Sequence, residues 1–170
     1  MGVIRQCRRD GGFTVVELAI VIGKEARHVS AADALDFVAG WTILNDVSVR
    51  DYQRRTAQFL QGKTFEKSTP VGPALVTKDE IDASNLRLVT EVDGLVMQDS
   101  YTSDLLFKPA EIIAYLSDII TLEPGDIIAT GTPSGVGAGR KPQVWLQPGQ
   151  TMVTRVEGLG ELVNKCVKEA

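Results

Sequence analysis

The sequence has few of the side chains that bind zinc or form disulfides, with two cysteines and one histidine among 170 residues. Cys7 and Cys166 stand at opposite ends of the chain, in no spacing typical of a zinc site or a redox pair. These counts exclude a cysteine-rich zinc module and a disulfide framework. They predict a reduced protein of the cytoplasm.

The sequence also has no excess of basic residues and no long apolar run. Its 18 Lys and Arg are outnumbered by 22 Asp and Glu, and the small cluster Arg5, Arg8 and Arg9 reads as a solvated tail, so no nucleic-acid partner is predicted. The longest apolar run is interrupted by Glu17 and is shorter than the roughly 20 residues of a membrane span. We therefore expect no membrane association, and the N-terminal segment shows neither an export nor a lipidation pattern.

With 44% hydrophobic and 24% charged residues, the chain has the composition and length of one globular domain with a single core. Segments 13–23 and 41–46 are rich in β-branched residues and predict strands. Alternating residues on both sides of Asp93-Gly94 predict a hairpin with a tight type I′ turn. Pro-Gly pairs at 124–125 and 148–149 each predict a turn that starts a strand.

Two helices are predicted. The first is short, over 30–40, with Ser30 as N-cap and Gly40 at its end. The second, over 108–122, has Pro109 in its first turn and an apolar stripe expected in the core, which consists of Ile112, Ile113, Leu116, Ile119 and Ile120. Because strands dominate and no regular βαβ alternation appears, an α+β fold is favoured over a doubly wound one.

Glu17 and Asp46 are the first candidates for chemistry. Glu17 lies in mid-strand between apolar neighbours, where burial of a carboxylate is costly unless it is paired or binds a metal. The sequence fits equally well a strand at the edge of the sheet, in which Glu17 faces water. Asp46 ends the next strand in NDVSVRDYQ. Two carboxylates at neighbouring strand ends fit a cation such as Mg²⁺ or Mn²⁺. The stretch NDVSVRDYQ, taken alone, also fits a polar turn with an internal salt bridge.

Lys63 and the loop after residue 129 are the other candidates. Lys63 stands in a polar loop, where a lysine is either solvated or holds an anionic oxygen of a substrate. The stretch IIATGTPSGVGAG fails as a phosphate-binding loop, because no Gly-Lys-Ser/Thr follows and Pro133 removes a backbone donor. It predicts a small-residue loop with the hydroxyls of Thr130 and Thr132 beside a small substrate, or else a purely structural glycine turn.

The order of these motifs resembles the C-terminal catalytic domain of the fumarylacetoacetate hydrolase family. The resemblance rests on ELAIVIGKEAR, GWTILNDVSVRD, GKTFEKSTPVGP, TSDLLF, LEPGDIIATGTPSGVG and VEGLGELVN, in that order. It implies an α+β fold of the mixed β-sandwich roll type with a few covering helices, a homodimer, and Mg²⁺ or Mn²⁺ near the opening of the roll. We expect an atypical segment at 1–12 and a single catalytic domain of this kind at 13–170.

The resemblance also implies roles for single residues. The metal carboxylates of the family correspond to Glu17 and Asp46, and the lysine beside metal and substrate corresponds to Lys63. The substrate-binding positions are Arg50, Gln53 and Thr132, the last of which contacts a carboxylate.

The chain departs from the family pattern at two places. The family has Glu-x-Glu in its first strand, where this sequence has Val15-Val16-Glu17, so one metal carboxylate is replaced by an aliphatic side chain. The family's His-Glu pair, the proposed base and its orienter, lies in an upstream lid that residues 1–12 do not resemble, and we expect His28 to be a surface residue. A truncated or misread start and a naturally shortened relative are the two explanations.

Two classes of function follow from the resemblance. The first is a metal-dependent hydrolase that cleaves a C–C bond in acylpyruvate- or fumarylpyruvate-like diketo acids during the catabolism of aromatic compounds. Isomerisation or decarboxylation of 2-hydroxyhepta-2,4-diene-1,7-dioate-type intermediates is the alternative within that class. The second class is a catalytically impaired relative that acts as a binding or dimerisation module, which Val15 and the absent lid favour.

Overall fold

The computed structural model describes residues 2–4, 12–13 and 15–168, so Cys7 and the basic residues Arg5, Arg8 and Arg9 lie outside it. The strands are β1 (Gly2–Ile4), β2 (Gly12–Phe13), β3 (Val16–Ile22), β4 (Val38–Asn45), β5 (Ser48–Val49), β6 (Val71–Thr77), β7 (Arg87–Val92), β8 (Leu95–Tyr101), β9 (Ile127–Ala129), β10 (Thr151–Val156) and β11 (Gly160–Cys166). The α-helices are α1 (Arg50–Gln53) and α2 (Pro109–Ile119). Short 3₁₀ turns lie at Ala34–Phe37, Phe59–Gly62, Ala83–Asn85, Thr102–Asp104 and Gly137–Gly139. Neither α-helix is long and apolar enough to cross a membrane, a finding that holds for the described residues.

Two main sheets form the molecule. One has the strand order β1-β11-β10-β7-β8 and the other β6-β4-β3-β9, while β2 and β5 make a separate pair. β1 runs parallel to β11, and the remaining pairs are antiparallel. The predicted α+β fold, a mixed β-sandwich with few helices, is therefore confirmed.

The core lies between the two sheets and follows the two-residue period of β3. Val16, Leu18 and Ile20 are at most 1% exposed and pack with Leu88 of β7 and Val156 of β10 in one cluster. Because successive side chains of a strand alternate between faces, the intervening Glu17 lies on the opposite face of its sheet. The packing of the core thus determines on which face of the sheet the Glu17 carboxylate lies.

The turns agree with their sequence signals. Asp93 and Gly94 have φ angles of 48° and 81°, both in the left-handed region that a type I′ turn requires. They join β7 to β8 as predicted. Gly125 and Gly149, each after a proline, adopt φ angles of 96° and 94° shortly before β9 and β10. The hairpin and both Pro-Gly turns are therefore confirmed.

The helix predicted over 30–40 is wrong. Only the 3₁₀ turn Ala34–Phe37 forms, and β4 already begins at Val38. Gly40 does not end a helix, because it lies within β4, paired with Val21 and Thr77, where a Cβ would collide with the carbonyl oxygen of Val76. Pairing on both sides of β4 outweighs the local helical signal.

Helix α2 is confirmed, but its predicted core stripe is only partly buried. Ile113 is buried, and Ile112 and Leu116 pack partly against the core. Ile119 and Ile120 are 58% and 53% exposed. The helix ends at Ile119, and Ile120 adopts an extended conformation. The apolar pattern of the sequence therefore extends beyond the end of the helix.

Candidate active site

Strands β3 and β4 bring two carboxylates to the same end of their sheet. Glu17 is 5% exposed, on the face away from the core, and Asp46 directly follows β4 and is also buried. The amide of Asp46 donates to the carbonyl oxygen of Val15 at 2.9 Å, which extends the β3–β4 pairing beyond the last ladder residues. Glu17 is therefore not the water-facing edge residue of the alternative interpretation.

A short turn brings Lys63 to these carboxylates. The amide of Lys63 donates to the carbonyl oxygen of Leu60 at 3.0 Å and so closes the 3₁₀ turn Phe59–Gly62. Gly62 lies against Gln53 and the carbonyl oxygen of Val49, where any Cβ would be too close. This glycine lets the turn pack on α1, and Lys63 Nζ then contacts Asp46 Oδ2.

The charges of this cluster act on one another. Burial raises the pKa of Glu17, and the Gly131 amide and the positive charge of Lys63 partly oppose that rise. Burial lowers the pKa of Lys63, which the negative charge of Glu17 opposes. Lys63 thus contacts one carboxylate and lies within electrostatic reach of the other.

Arg50 and Gln53, predicted to bind substrate oxygens, both lie on α1. Arg50 Nη1 donates to Gln53 Oε1. Burial, and next the nearby charge of Arg54, lower the pKa of Arg50 to about 10. In NDVSVRDYQ, then, Asp46 is directed to Lys63, while Arg50 and Gln53 meet each other on α1.

The loop after β9 is hydrogen-bonded to β3. Both the amide and the hydroxyl of Thr130 donate to the carbonyl oxygen of Leu18, at 3.2 and 2.8 Å. The amide of Gly131 donates to Glu17 Oε2 at 2.7 Å. The loop also lines a cavity of about 230 Å³ that reaches Tyr101 and Phe107. Of the predicted site residues only Thr132 lines this cavity, so the cavity adjoins the carboxylates across the loop and does not contain them.

Two buried amides that the sequence did not single out hold the site together. Asn45 Oδ1 accepts from the amide of Val15 at 3.1 Å, and Asn45 Nδ2 donates to Thr154 Oγ1 at 2.9 Å. Gln98 bonds the amide of Val16 and the hydroxyl of Thr132. Their sequence signal is weak, since a lone Asn or Gln in a strand usually faces water.

His28 is exposed, and its Nδ1 forms a hydrogen bond of 3.0 Å with Asp118, which is not one of the predicted site residues. The predicted surface position is confirmed.

The donor set fits a divalent cation in its chemistry. Carboxylate oxygens are the ligands that Mg²⁺ and Mn²⁺ prefer, and Mg²⁺ is commonly bound by one or two carboxylates with water and substrate as the other ligands. Glu17 and Asp46 supply those two. No group of three or more His, Cys, Asp or Glu side chains comes together in the described part of the chain. Val15, where the resemblance implies a third carboxylate, is buried, and its side chain has no oxygen.

The fold is therefore a β-sandwich of two main sheets that carries two buried carboxylates and a lysine close together. Residues 14–167 match the model of the fumarylacetoacetate (FAA) hydrolase C-terminal domain. The chain belongs to the fumarylacetoacetate hydrolase family.

The relatives in this family differ in their reactions. The chain is 49% identical over 154 residues to the mitochondrial oxaloacetate tautomerase Fahd2a of Rattus norvegicus, a match that covers 89% of this chain and 49% of the relative. The chain thus spans about half the length of the curated relatives it matches.

Two solved structures share the fold closely. The 2-hydroxyhepta-2,4-diene-1,7-dioate isomerase of Mycobacterium marinum has a TM-score of 0.90 and 39% identity, over 99% of this chain and 64% of that chain. The fumarylpyruvate hydrolase of Pseudomonas aeruginosa, solved with Mn²⁺ and pyruvate, has a TM-score of 0.88 and 30% identity, over 99% of this chain and 72% of that chain.

Proposed function

We propose that this chain interconverts the enol and keto forms of a 2-oxo dicarboxylic acid of the oxaloacetate kind, in a reaction that depends on Mg²⁺ or Mn²⁺. The observation that carries the proposal is the cluster of Lys63 with the buried carboxylates of Asp46 and Glu17, beside the loop that carries Thr132. Such a reaction needs one group that moves a proton and several that hold oxyanions, which matches the side chains present.

The proposal takes the role of each residue from the family resemblance, and the contacts between the residues support it. Glu17 and Asp46 would hold the cation, which when bound polarises the 2-oxo group and stabilises the enolate. Arg50, Gln53 and Thr132 bind the substrate's oxygens. In the enol-to-keto direction the Lys63 ammonium gives a proton to carbon 3, and the enol hydroxyl returns one proton to the amine through solvent. One C–H bond forms and one O–H bond breaks, so the reaction needs no co-substrate.

The 49% identity to an oxaloacetate tautomerase supports this reaction over the others. The second candidate is hydrolysis of an acylpyruvate or fumarylpyruvate, which the likeness to the fumarylpyruvate hydrolase favours. Hydrolysis passes through the same enolate but also needs a base that activates water. Lys63 would have to take that role here, because the described residues bring no histidine to the cluster. Isomerisation of a 2-hydroxyhepta-2,4-diene-1,7-dioate remains the alternative, favoured by the M. marinum enzyme.

The test compares two substrates on one preparation with Mn²⁺ or Mg²⁺. Decay of the enol absorbance of oxaloacetate measures tautomerisation, and release of pyruvate from acetylpyruvate measures hydrolysis. Lys63→Met should lower kcat/KM for tautomerisation by at least about a hundredfold, while the exposed control Lys24→Met should not change it. Hydrolysis alone would select the second candidate. If the folded chain binds the metal but turns over neither substrate, a binding or dimerisation module remains.

We also propose that the protein is a homodimer. Large apolar side chains are strongly exposed, among them Leu106 at 85% and Tyr115 at 69%, and exposed apolar surface of this kind is typical of interaction sites. Light scattering after size exclusion tests the proposal, since a single species of one-chain mass would contradict it.

The cell compartment is part of the same proposal. We place the protein in the cytoplasm, which is consistent with its having only two cysteines and with the burial of Cys166. The mitochondrial name of the rat relative makes the mitochondrion the competing compartment. Fractionation of cells that express the native gene separates the two.

A further inference from the structure

Gln98 joins three parts of the molecule through one buried amide. It lies on β8 in the five-stranded sheet and is 2% exposed. Its Oε1 accepts from the amide of Val16 at 3.1 Å, at the start of the strand that carries Glu17. Its Nε2 donates to Thr132 Oγ1 at 2.9 Å and to the carbonyl oxygen of Pro133 at 3.0 Å.

The backbone groups at both ends fix the orientation of this amide. The N–H of Val16 can only donate, so it must face the amide oxygen, and the carbonyl of Pro133 can only accept, so it must face the amide nitrogen. A flipped amide would lose both bonds. Nε2 therefore faces Thr132, and the Thr132 hydroxyl accepts a hydrogen bond from it.

This bond determines the direction of the Thr132 proton. A hydroxyl has one proton to donate, and a hydroxyl that accepts from Gln98 points its proton elsewhere. Within the described residues the Thr132 proton meets no acceptor, and Thr132 is exposed. The neighbouring Thr130 differs, because its hydroxyl donates to the carbonyl oxygen of Leu18. Of these two hydroxyls, only that of Thr132 has a proton free for a ligand.

We infer that Gln98 is a positioning residue that makes Thr132 a hydrogen-bond donor to the carboxylate of the substrate. The inference rests on the proposed function, because it takes a 2-oxo acid as the ligand at Thr132. It predicts that the chain distinguishes a carboxylate from a neutral amide at this position, and that Gln98 contributes to that selectivity without contacting the ligand.

The test measures ligand binding, independently of turnover. Pyruvate and its neutral analogue pyruvamide are titrated by calorimetry into the full chain with saturating Mn²⁺. Gln98→Glu keeps the shape of the side chain and the acceptor for Val16, but offers Thr132 an acceptor in place of a donor. The Thr132 proton then turns toward the new carboxylate, and pyruvate binding should weaken by about tenfold or more. Pyruvamide binding should change much less.

Two further variants separate positioning from folding. Thr132→Val should weaken pyruvate binding by a similar factor, and the double variant with Gln98→Glu should bind no more weakly than either single one, because both remove the same interaction. Gln98→Met, which leaves the hydroxyl free to rotate, should lose only severalfold. The matched control is Thr90→Val, at a buried threonine of β7 whose hydroxyl meets no hydrogen-bond partner among the described residues, and it should keep wild-type affinity.

The outcomes distinguish this inference from the proposed function. Equal losses for pyruvate and pyruvamide, or additive losses in the double variant, would mean that Gln98 is only structural and would overturn the inference. Wild-type protein that binds pyruvate with the expected selectivity but turns over no oxaloacetate would support the inference and contradict the proposed function. Wild-type protein that binds no pyruvate would overturn both.

Discussion

The amide of Gly131 donates a hydrogen bond of 2.7 Å to the carboxylate of Glu17, 114 residues away along the chain. This bond joins the small-residue loop to the strand that supplies the candidate metal ligand. Gly131 adopts a φ angle of 102°, a conformation that residues with a Cβ rarely adopt. A glycine is therefore needed at this position for its backbone conformation. Its N–H orients the Glu17 carboxylate and offsets part of the cost of burying that charge.

Replacing Gly131 should affect the metal more than the fold. Gly131→Ala has open space around the new Cβ, so its cost is conformational, about 1–2 kcal/mol. Relief of that strain turns the amide away from Glu17, and Mn²⁺ affinity should fall severalfold. Gly149→Ala is the matched control, because Gly149 has a φ angle of 94° and equally open space in a distant turn. Equal Mn²⁺ affinities of the two variants in calorimetry would contradict the proposed role of the bond.

Glu17 should destabilise the metal-free protein at neutral pH. Burial raises the pKa of Glu17 above the ordinary glutamate value of 4.5, so the unfolded chain loses this proton at lower pH than the folded chain does. The folded state therefore loses stability as the pH rises from 4.5 through the folded-state pKa, and the loss persists above it. Glu17→Gln, measured in chelator, should raise the Tm by a few degrees at pH 7 and leave it unchanged at pH 4.

Glu80→Gln, at an exposed carboxylate, serves as the control for Glu17→Gln and should not raise the Tm at pH 7. A lower Tm of Glu17→Gln at pH 7 would show that the Gly131 and Lys63 interactions outweigh the cost of burial.

A carboxylate introduced at position 15 should strengthen metal binding. Val15 lies two residues before Glu17, on the same side of an extended chain, and its carbonyl accepts from the amide of Asp46. Val15→Glu adds a third anionic oxygen ligand, so Mn²⁺ affinity should rise at least about tenfold. The metal-free protein should lose stability, since another carboxylate is buried. Val15→Gln, equal in shape but neutral, should give little of the gain; equal gains would exclude a charge effect.

The parts of the fold that follow from local chemistry were predictable. The type I′ turn at Asp93-Gly94 and the glycines that follow prolines have φ requirements that few residues meet, so their signals are specific. The prediction of a helix over 30–40 was wrong because the pairing of β4 with β3 and β6 depends on residues distant in sequence. Gln98 was missed for the same reason, since all three of its partners lie more than 30 residues away.

In the candidate site, too, some features could be predicted from the sequence and others depend on contacts between distant residues. Motif order identified Glu17, Asp46 and Lys63, and the structure brings Lys63 to Asp46. The resemblance could not give the direction of the Thr132 proton or the bond from Gly131 to Glu17, because both depend on how the loop lies against β3.

Helix α2 supplies the last prediction, since two residues of its predicted stripe differ in environment. Ile113 is fully buried and Ile119 is 58% exposed. Ile113→Ala should lower the free energy of unfolding by about 2–5 kcal/mol, because it leaves a cavity in the core. Ile119→Ala, the same chemical change, should cost less than about 0.5 kcal/mol in the monomer. Urea unfolding at low protein concentration measures both; a large cost at Ile119 that grows with protein concentration would place this end of α2 in the interface between two copies.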